Sequence, residues 1–219
     1  MDADQFVRRR PVYLLLDVSG SMQGAPIQAV QQGVIMIHNE LMNNPHSIET
    51  VYLSVIVFGN SARQIVTLTS VESFTPPILT AGGSTALGAS LTLLDQALER
   101  EIRSAGEGRK GDYRPLIFLF TDGAPTDEWR APLATLKTRK LGSFVALGCG
   151  NNVNVNVLKE ITPVCLLMSD TSGDAIRQFF RWVSSSIQKT SQRINTKAEE
   201  NGLEIVPLPP IIKRIGDGS

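Results

Sequence analysis

Short, nearly continuous apolar runs alternate with segments of helical periodicity, and that alternation leaves few folds open. Val12-Tyr-Leu-Leu-Leu16, Leu116-Ile-Phe-Leu-Phe120, Phe144-Val-Ala-Leu147 and Val164-Cys-Leu-Leu-Met168 are apolar almost throughout. Val51–Phe58 is similar, with Ser54 as its one polar residue. Runs of this length and composition fit strands covered on both faces, as in a parallel sheet. Between them the period changes. Ile27, Val30, Val34, Ile37 and Leu41 recur at three and four residues, with Pro26 at a first-turn position. Leu87, Leu91, Leu94, Leu98 and Ile102 form a second stripe; Trp129, Leu133 and Leu136 a shorter third; Ile176, Phe179, Phe180, Val183 and Ile187 a fourth. Each stripe is a helix face that needs a sheet to cover it. Gly59-Asn60 before Arg63-Gln-Ile-Val-Thr-Leu68 signals a tight hairpin into a polar edge strand. The pattern predicts an α/β fold. Its sheet is open, doubly wound, six-stranded and mostly parallel, with one antiparallel edge strand and helices on both faces.

Composition narrows the function. The chain has 219 residues, so it is expected to form one large domain: an N-terminal extension over 1–10, the domain over 11–189 and a Pro-containing tail over 190–219. The tail reads either as an arm docked on its own domain, the favoured reading, or as a flexible partner-binding segment. Leu208-Pro-Pro-Ile within it is a weaker candidate for an extended Pro-rich ligand. Lys+Arg and Asp+Glu both number 21, which gives none of the strongly basic field of many nucleic-acid binders. No apolar run approaches a membrane span, and residues 1–10 show no secretory signal. Two cysteines make no disulfide framework. The expectation is a soluble cytoplasmic protein with reduced thiols, and with no nucleic-acid or membrane partner.

Ligands of doubly wound sheets bind beyond the carboxyl ends of the strands, where strand order reverses. The first run ends in Asp17-Val-Ser-Gly-Ser21, and the run at 116–120 leads into Thr121-Asp122-Gly123. Gly82-Gly83-Ser84-Thr85 opens the second helical stripe. If the two runs are neighbours, Asp17 and Asp122 converge. Carboxylates so close must raise a pKa or share a cation. An all-oxygen set with Ser19, Ser21 and Thr85 favours a hard cation: Mg²⁺, with Mn²⁺ or Ca²⁺ as alternatives.

This constellation resembles the metal-ion-dependent adhesion site of von Willebrand factor A domains: Asp-x-Ser-x-Ser, a loop Thr, and an Asp ending a central strand. The resemblance covers residues from about 12 to 188. It implies Asp17, Ser19, Ser21, Thr85 and Asp122 as metal ligands, with no catalytic residue. Pro11-Val-Tyr-Leu-Leu-Leu-Asp-Val-Ser-Gly-Ser-Met22, Glu49-Thr-Val-Tyr52 and Thr121-Asp-Gly-Ala-Pro-Thr-Asp127 are similar to a bacterial subgroup associated with tellurium-resistance operons. That likeness implies an intracellular adaptor, in a tellurium-resistance or stress-response complex. Its cation would be completed by an acidic residue of a protein partner; a kinase and a PP2C-type phosphatase are candidates.

The alternative is a metal-dependent, phosphatase-like hydrolase using the same aspartates. The sequence gives it little: no Asp-x-Asp follows the first run, no His lies near the expected site, and no Gly-x-Ser-x-Gly or Gly-Lys-Ser/Thr motif is present. A dinucleotide site is disfavoured because Gly20 and Gly24 do not make Gly-x-Gly-x-x-Gly. Asp127 is expected to cap a helix, and Thr85 has capping as a second reading. His38 in the first helix and His46 in the loop after it are expected to be ordinary surface or half-buried histidines. Cys149 and Cys165 are expected on neighbouring strands, reduced and in or near the core. Arg8-Arg9-Arg10 is expected to be a solvated run.

Overall fold

The computed structural model describes residues 8–106, 110–150, 153–192, 203 and 206–215. Strand β1 (Arg10–Asp17) lies in the interior of the sheet and is buried along its whole length. It pairs in parallel with β2 (Val51–Phe58) on one side and β4 (Leu116–Thr121) on the other. The antiparallel strand β3 (Ala62–Ser70) flanks β2, and β5 (Ser143–Cys149) and β6 (Val164–Met168) continue in parallel beyond β4. The order is β3-β2-β1-β4-β5-β6-β7, so the reversal falls between β1 and β4.

Among the described residues the sheet has seven strands rather than the expected six. The seventh, β7 (Lys213–Arg214), comes from the tail and pairs antiparallel with β6, so both edges are antiparallel. Two exposed basic residues carry no strand pattern; their strand exists because the β6 edge offers backbone partners. The described part of the tail packs on the domain. Trp182 Nε1 donates to Val206 O at 2.9 Å, Leu203 N donates to Ser143 Oγ at 2.8 Å, and Ile212 is buried. Residues 1–7 of the expected extension, and 193–202, 204, 205 and 216–219 of the tail, lie outside the described residues.

Two helical layers cover the sheet. Helices α1 (Ala25–Met42) and α6 (Gly173–Gln192) bury their stripes against Val12, Leu14, Leu16, Phe118 and Phe120. On the other face, α3 (Leu87–Glu101), α4 (Arg130–Leu136) and α5 (Val155–Ile161) cover Tyr13, Leu15, Ile117 and Leu119. Two short helices carried no usable period. One is α5, and the other is α2 (Pro45–Thr50), where Asn44 Oδ1 accepts from Ser47 N at 3.0 Å. His46 therefore lies in a helix, exposed, rather than in a loop.

The arginine run is the clearest departure from expectation. Arg9 and Arg10 are buried at the pole where β1 begins. Arg9 pairs with Asp112 at 2.5 Å and donates to Glu101 O at 2.8 Å. Arg8 and Arg10 each place their guanidinium 4.1 Å from the Tyr113 ring centroid. Burial lowers the Arg10 pKa to about 10. The acidic and aromatic partners come from about 100 residues away, so the local sequence gave no sign of them. Strand β7 runs toward this same pole, with Ile215 N donating to Cys165 O near the start of β6.

Cys149 and Cys165 do lie on neighbouring strands, buried and unbridged. They belong to opposite faces of the sheet, Cys149 among the α1 and α6 contacts and Cys165 among those of α3 to α5.

Candidate metal centre

The centre is built where β1 and β4 end side by side. Leu16 is level with Phe120, so the next residues, Asp17 and Thr121, emerge together at the carboxyl edge. Asp17 is 0% exposed. Its Oδ1 accepts from Ser19 N at 2.8 Å, which folds the chain back in a tight Asx-type turn. Its Oδ2 accepts from Thr121 Oγ1 at 2.6 Å. Burial raises the Asp17 pKa; the hydrogen bonds from Ser19 and Thr121 oppose this, and the Asp122 charge adds to it. Burial is thus the main force set against a bare Asp17 carboxylate, and a bound cation would offset it.

The turn brings the two serines together, Ser19 Oγ lying 3.1 Å from Ser21 Oγ. Ser21 Oγ then donates to Asp122 Oδ1 at 2.8 Å, across 101 residues of sequence. Asp17, Ser19, Ser21 and Asp122 thus form one hydrogen-bonded cluster. Ser19 is buried, Asp122 half-buried and Ser21 exposed, so the cluster opens to solvent on one side.

Thr85 reaches the site on a separate loop, and backbone contacts fix that loop in place. Gly20 N donates to Gly83 O at 2.9 Å, and Gly82 N donates to Val18 O at 2.7 Å. Gly83 has φ +86°, and a Cβ there would stand 2.5 Å from the Asn60 side chain, so only glycine fits. Thr85 N donates to Thr126 Oγ1 at 3.1 Å, and Thr126 N donates to Thr85 O at 3.0 Å. A Cβ on Gly123 would lie 3.2 Å from Thr85 Oγ1, which sets that hydroxyl against the loop carrying Asp122. The helix-capping role is not taken by Thr85: Ala86 is the N-cap of α3, without a side-chain cap bond. Asp127 does the work instead, accepting from Gly88 N and Ala89 N at 2.8 and 2.9 Å. It caps α3, not the helix that follows it in sequence.

All five expected residues are therefore gathered at one edge. Thr121, Thr126 and Asp127 were not singled out as its supports. Strand-end position was the only available signal for Thr121. Neither histidine is near: His38 Nε2 is 3.1 Å from Val71 O, and its ring lies 5.5 Å from that of Phe74. Among the described residues, no group of three or more His, Cys, Asp or Glu side chains is placed to hold a metal ion. The donor set holds two carboxylates and three hydroxyls, which suits a hard divalent cation bound with waters and not a soft, thiolate-preferring one.

Comparison with known proteins agrees with this architecture. The family model for the von Willebrand factor type A domain matches residues 12–192. An uncharacterized protein of Synechocystis sp., sll0103, is 30% identical over 164 residues, covering 73% of this chain and 37% of that protein. The chain thus spans little more than a third of that relative's length. Among solved structures, proximal thread matrix protein 1 from the mussel byssus, with a zinc-occupied MIDAS motif, aligns with a TM-score of 0.60 at 17% identity, covering 82% of this chain and 48% of that one. The ArnB paralog VWA2 from Sulfolobus acidocaldarius gives 0.61 at 16%, covering 82% and 45%. The pilus adhesin SpaC from Lactobacillus rhamnosus GG gives 0.67 at 16%, covering 84% and 31%. At these identities the likeness bears on the fold.

Proposed function

The chain belongs to the von Willebrand factor type A domain family, and we propose that it is a metal-dependent protein-binding module rather than an enzyme. Asp17, Ser19, Ser21, Thr85 and Asp122 hold a divalent cation, Mg²⁺ in the first place. The observation that carries this reading is the hydrogen-bonded cluster joining the ends of β1 and β4, with its two carboxylates and its open side. When bound, the ion supplies a Lewis-acidic point that an acidic side chain of a partner can complete. The chain's own part is to keep the negative charge sparse. Three neutral hydroxyls stand where further carboxylates would satisfy the ion and leave it little attraction for an outside anion. Thr121 and the Ser19 amide orient Asp17 without adding charge.

The adaptor reading follows from the same features. Neither histidine stands at the cluster to act as a general base. Among the described residues no helix is long and apolar enough to cross a membrane. The likeness of the β1, β2 and β4 stretches to tellurium-resistance proteins supports a cytoplasmic stress-response complex. A kinase and a PP2C-type phosphatase are the candidate partners.

Isothermal titration and melting curves test the metal. At about 100 times its Kd, Mg²⁺ stabilises the fold by ~2.7 kcal/mol if it binds only the native state. Asp17→Ala should abolish both the heat of binding and the stabilisation. The adaptor reading predicts that partner capture in Mg²⁺ is lost in EDTA and in Asp17→Ala. It also predicts no turnover of generic phosphate esters. Capture that persists in EDTA, or turnover that Asp17→Ala removes, contradicts it.

A further inference from the structure

A second binding feature adjoins the metal centre. A pocket of about 370 Å³ is lined by Val18, Gly59, Asn60, Ser61, Arg63 and Gly82, among others. It touches the centre directly, because Val18 sits between Asp17 and Ser19, and Gly82 lies on the loop that carries Thr85. Its walls are tied down. Gly59 N donates to Ser61 O at 3.0 Å, Gly82 N donates to Val18 O, and Asn60 Oδ1 accepts from Ser84 N at 2.9 Å. Asn60 is thereby engaged within the wall. Arg63 is the one charged side chain lining the pocket. It is exposed, and among the described residues its guanidinium makes no hydrogen bond or ion pair. Arg9, Arg100, Arg130 and Arg139, by contrast, all hold carboxylates of this chain.

We infer that this pocket takes a second acidic side chain from the same partner segment whose first acidic side chain reaches the metal centre. The inference rests on the reading under Proposed function and adds to it the partner's sequence requirement. The spacing comes from the sheet. Asp17 is level with Phe58, and Phe58 with Ala62, the residue before Arg63. Two strand-to-strand steps separate β1 from β3, about 10 Å. An extended segment covers that distance in about three residues. The partner is therefore an extended segment with two acidic residues about three positions apart. A cation and an exposed guanidinium divide the recognition. The centre requires a carboxylate, and Arg63 selects for the second one.

Selection from a random peptide display library, run in Mg²⁺ and in EDTA, tests this. Wild-type protein should enrich peptides with two acidic residues about three apart, in Mg²⁺ only. Arg63→Glu, with unchanged Mg²⁺ affinity by titration, should instead enrich one acidic residue with Lys or Arg at the second position. Synthetic peptides from the wild-type pool, with the second acid replaced by its amide, should lose about fivefold in affinity, the upper range for an exposed ion pair. Arg63→Ala should be indifferent to that change. A wild-type pool with a single acidic position, or the same two-acid pool from Arg63→Glu, overturns the inference and leaves the metal-centred reading intact. Enrichment that survives EDTA or Asp17→Ala, or no enrichment at all, overturns both.

Discussion

At the scale of the residue, a side chain's role here depends on which strand end or face it occupies. Asp17, Ser19, Ser21 and Asp122 were legible because each sits where an apolar run stops. Their supports were not, since Thr121 and Thr126 act through contacts set by topology. Asp127 shows the consequence. It holds two backbone amides at the start of α3, where the helix dipole favours a negative charge. Asp127→Ala should cost about 1–2 kcal/mol in denaturant unfolding. It should also weaken Mg²⁺ binding through the neighbouring Thr85 loop, while Asp127→Asn recovers part of the stability. The cysteines give a second residue-scale prediction. Burial first, then the charges of Asp122 and Asp170, push the Cys149 pKa up to about 12. At pH 8 its thiolate fraction is then about one in ten thousand. The Cys165 pKa is raised by burial too. Ellman's reagent should detect neither thiol in the native protein and both in urea. The pair should not bridge under mild oxidation, because the sheet lies between them.

At the scale of the element, the long strands and helices follow from their patterns because burial on one or both faces fixes the period. The elements missed were those whose existence depends on neighbours. Val157, Leu158 and Ile161 of α5 are buried but fill only two turns, too few to define a stripe. β7 owes its two residues to the open edge of β6. Packing between helices is also invisible in a pattern of apolar positions. Gly33 of α1 lies under the Phe180 ring of α6, and a Cβ there would overlap the ring. Gly33→Ala should therefore destabilise by about 1–3 kcal/mol, although alanine is the better helix former. A rise in melting temperature would show that α6 can shift away without loss.

At the scale of the whole molecule, the tail completes the sheet. Removing residues 203–219 should strip the Val206 contact from Trp182, uncover the side of the core where Ile212 packs, and leave β6 as a bare edge. The expected outcome is a lower melting temperature, red-shifted tryptophan emission and concentration-dependent association by size-exclusion chromatography. An unchanged, monomeric protein would show that the tail contributes no stability.

The first strand starts, and the last one finishes, at the pole away from Asp17 and Asp122. Arg10 and Ile215 thus stand at the molecule's back, at the far end of the strands from the candidate metal centre. A tether attached at Arg10 or Ile215 would leave the edge with Asp17 and Asp122 turned toward whatever approaches.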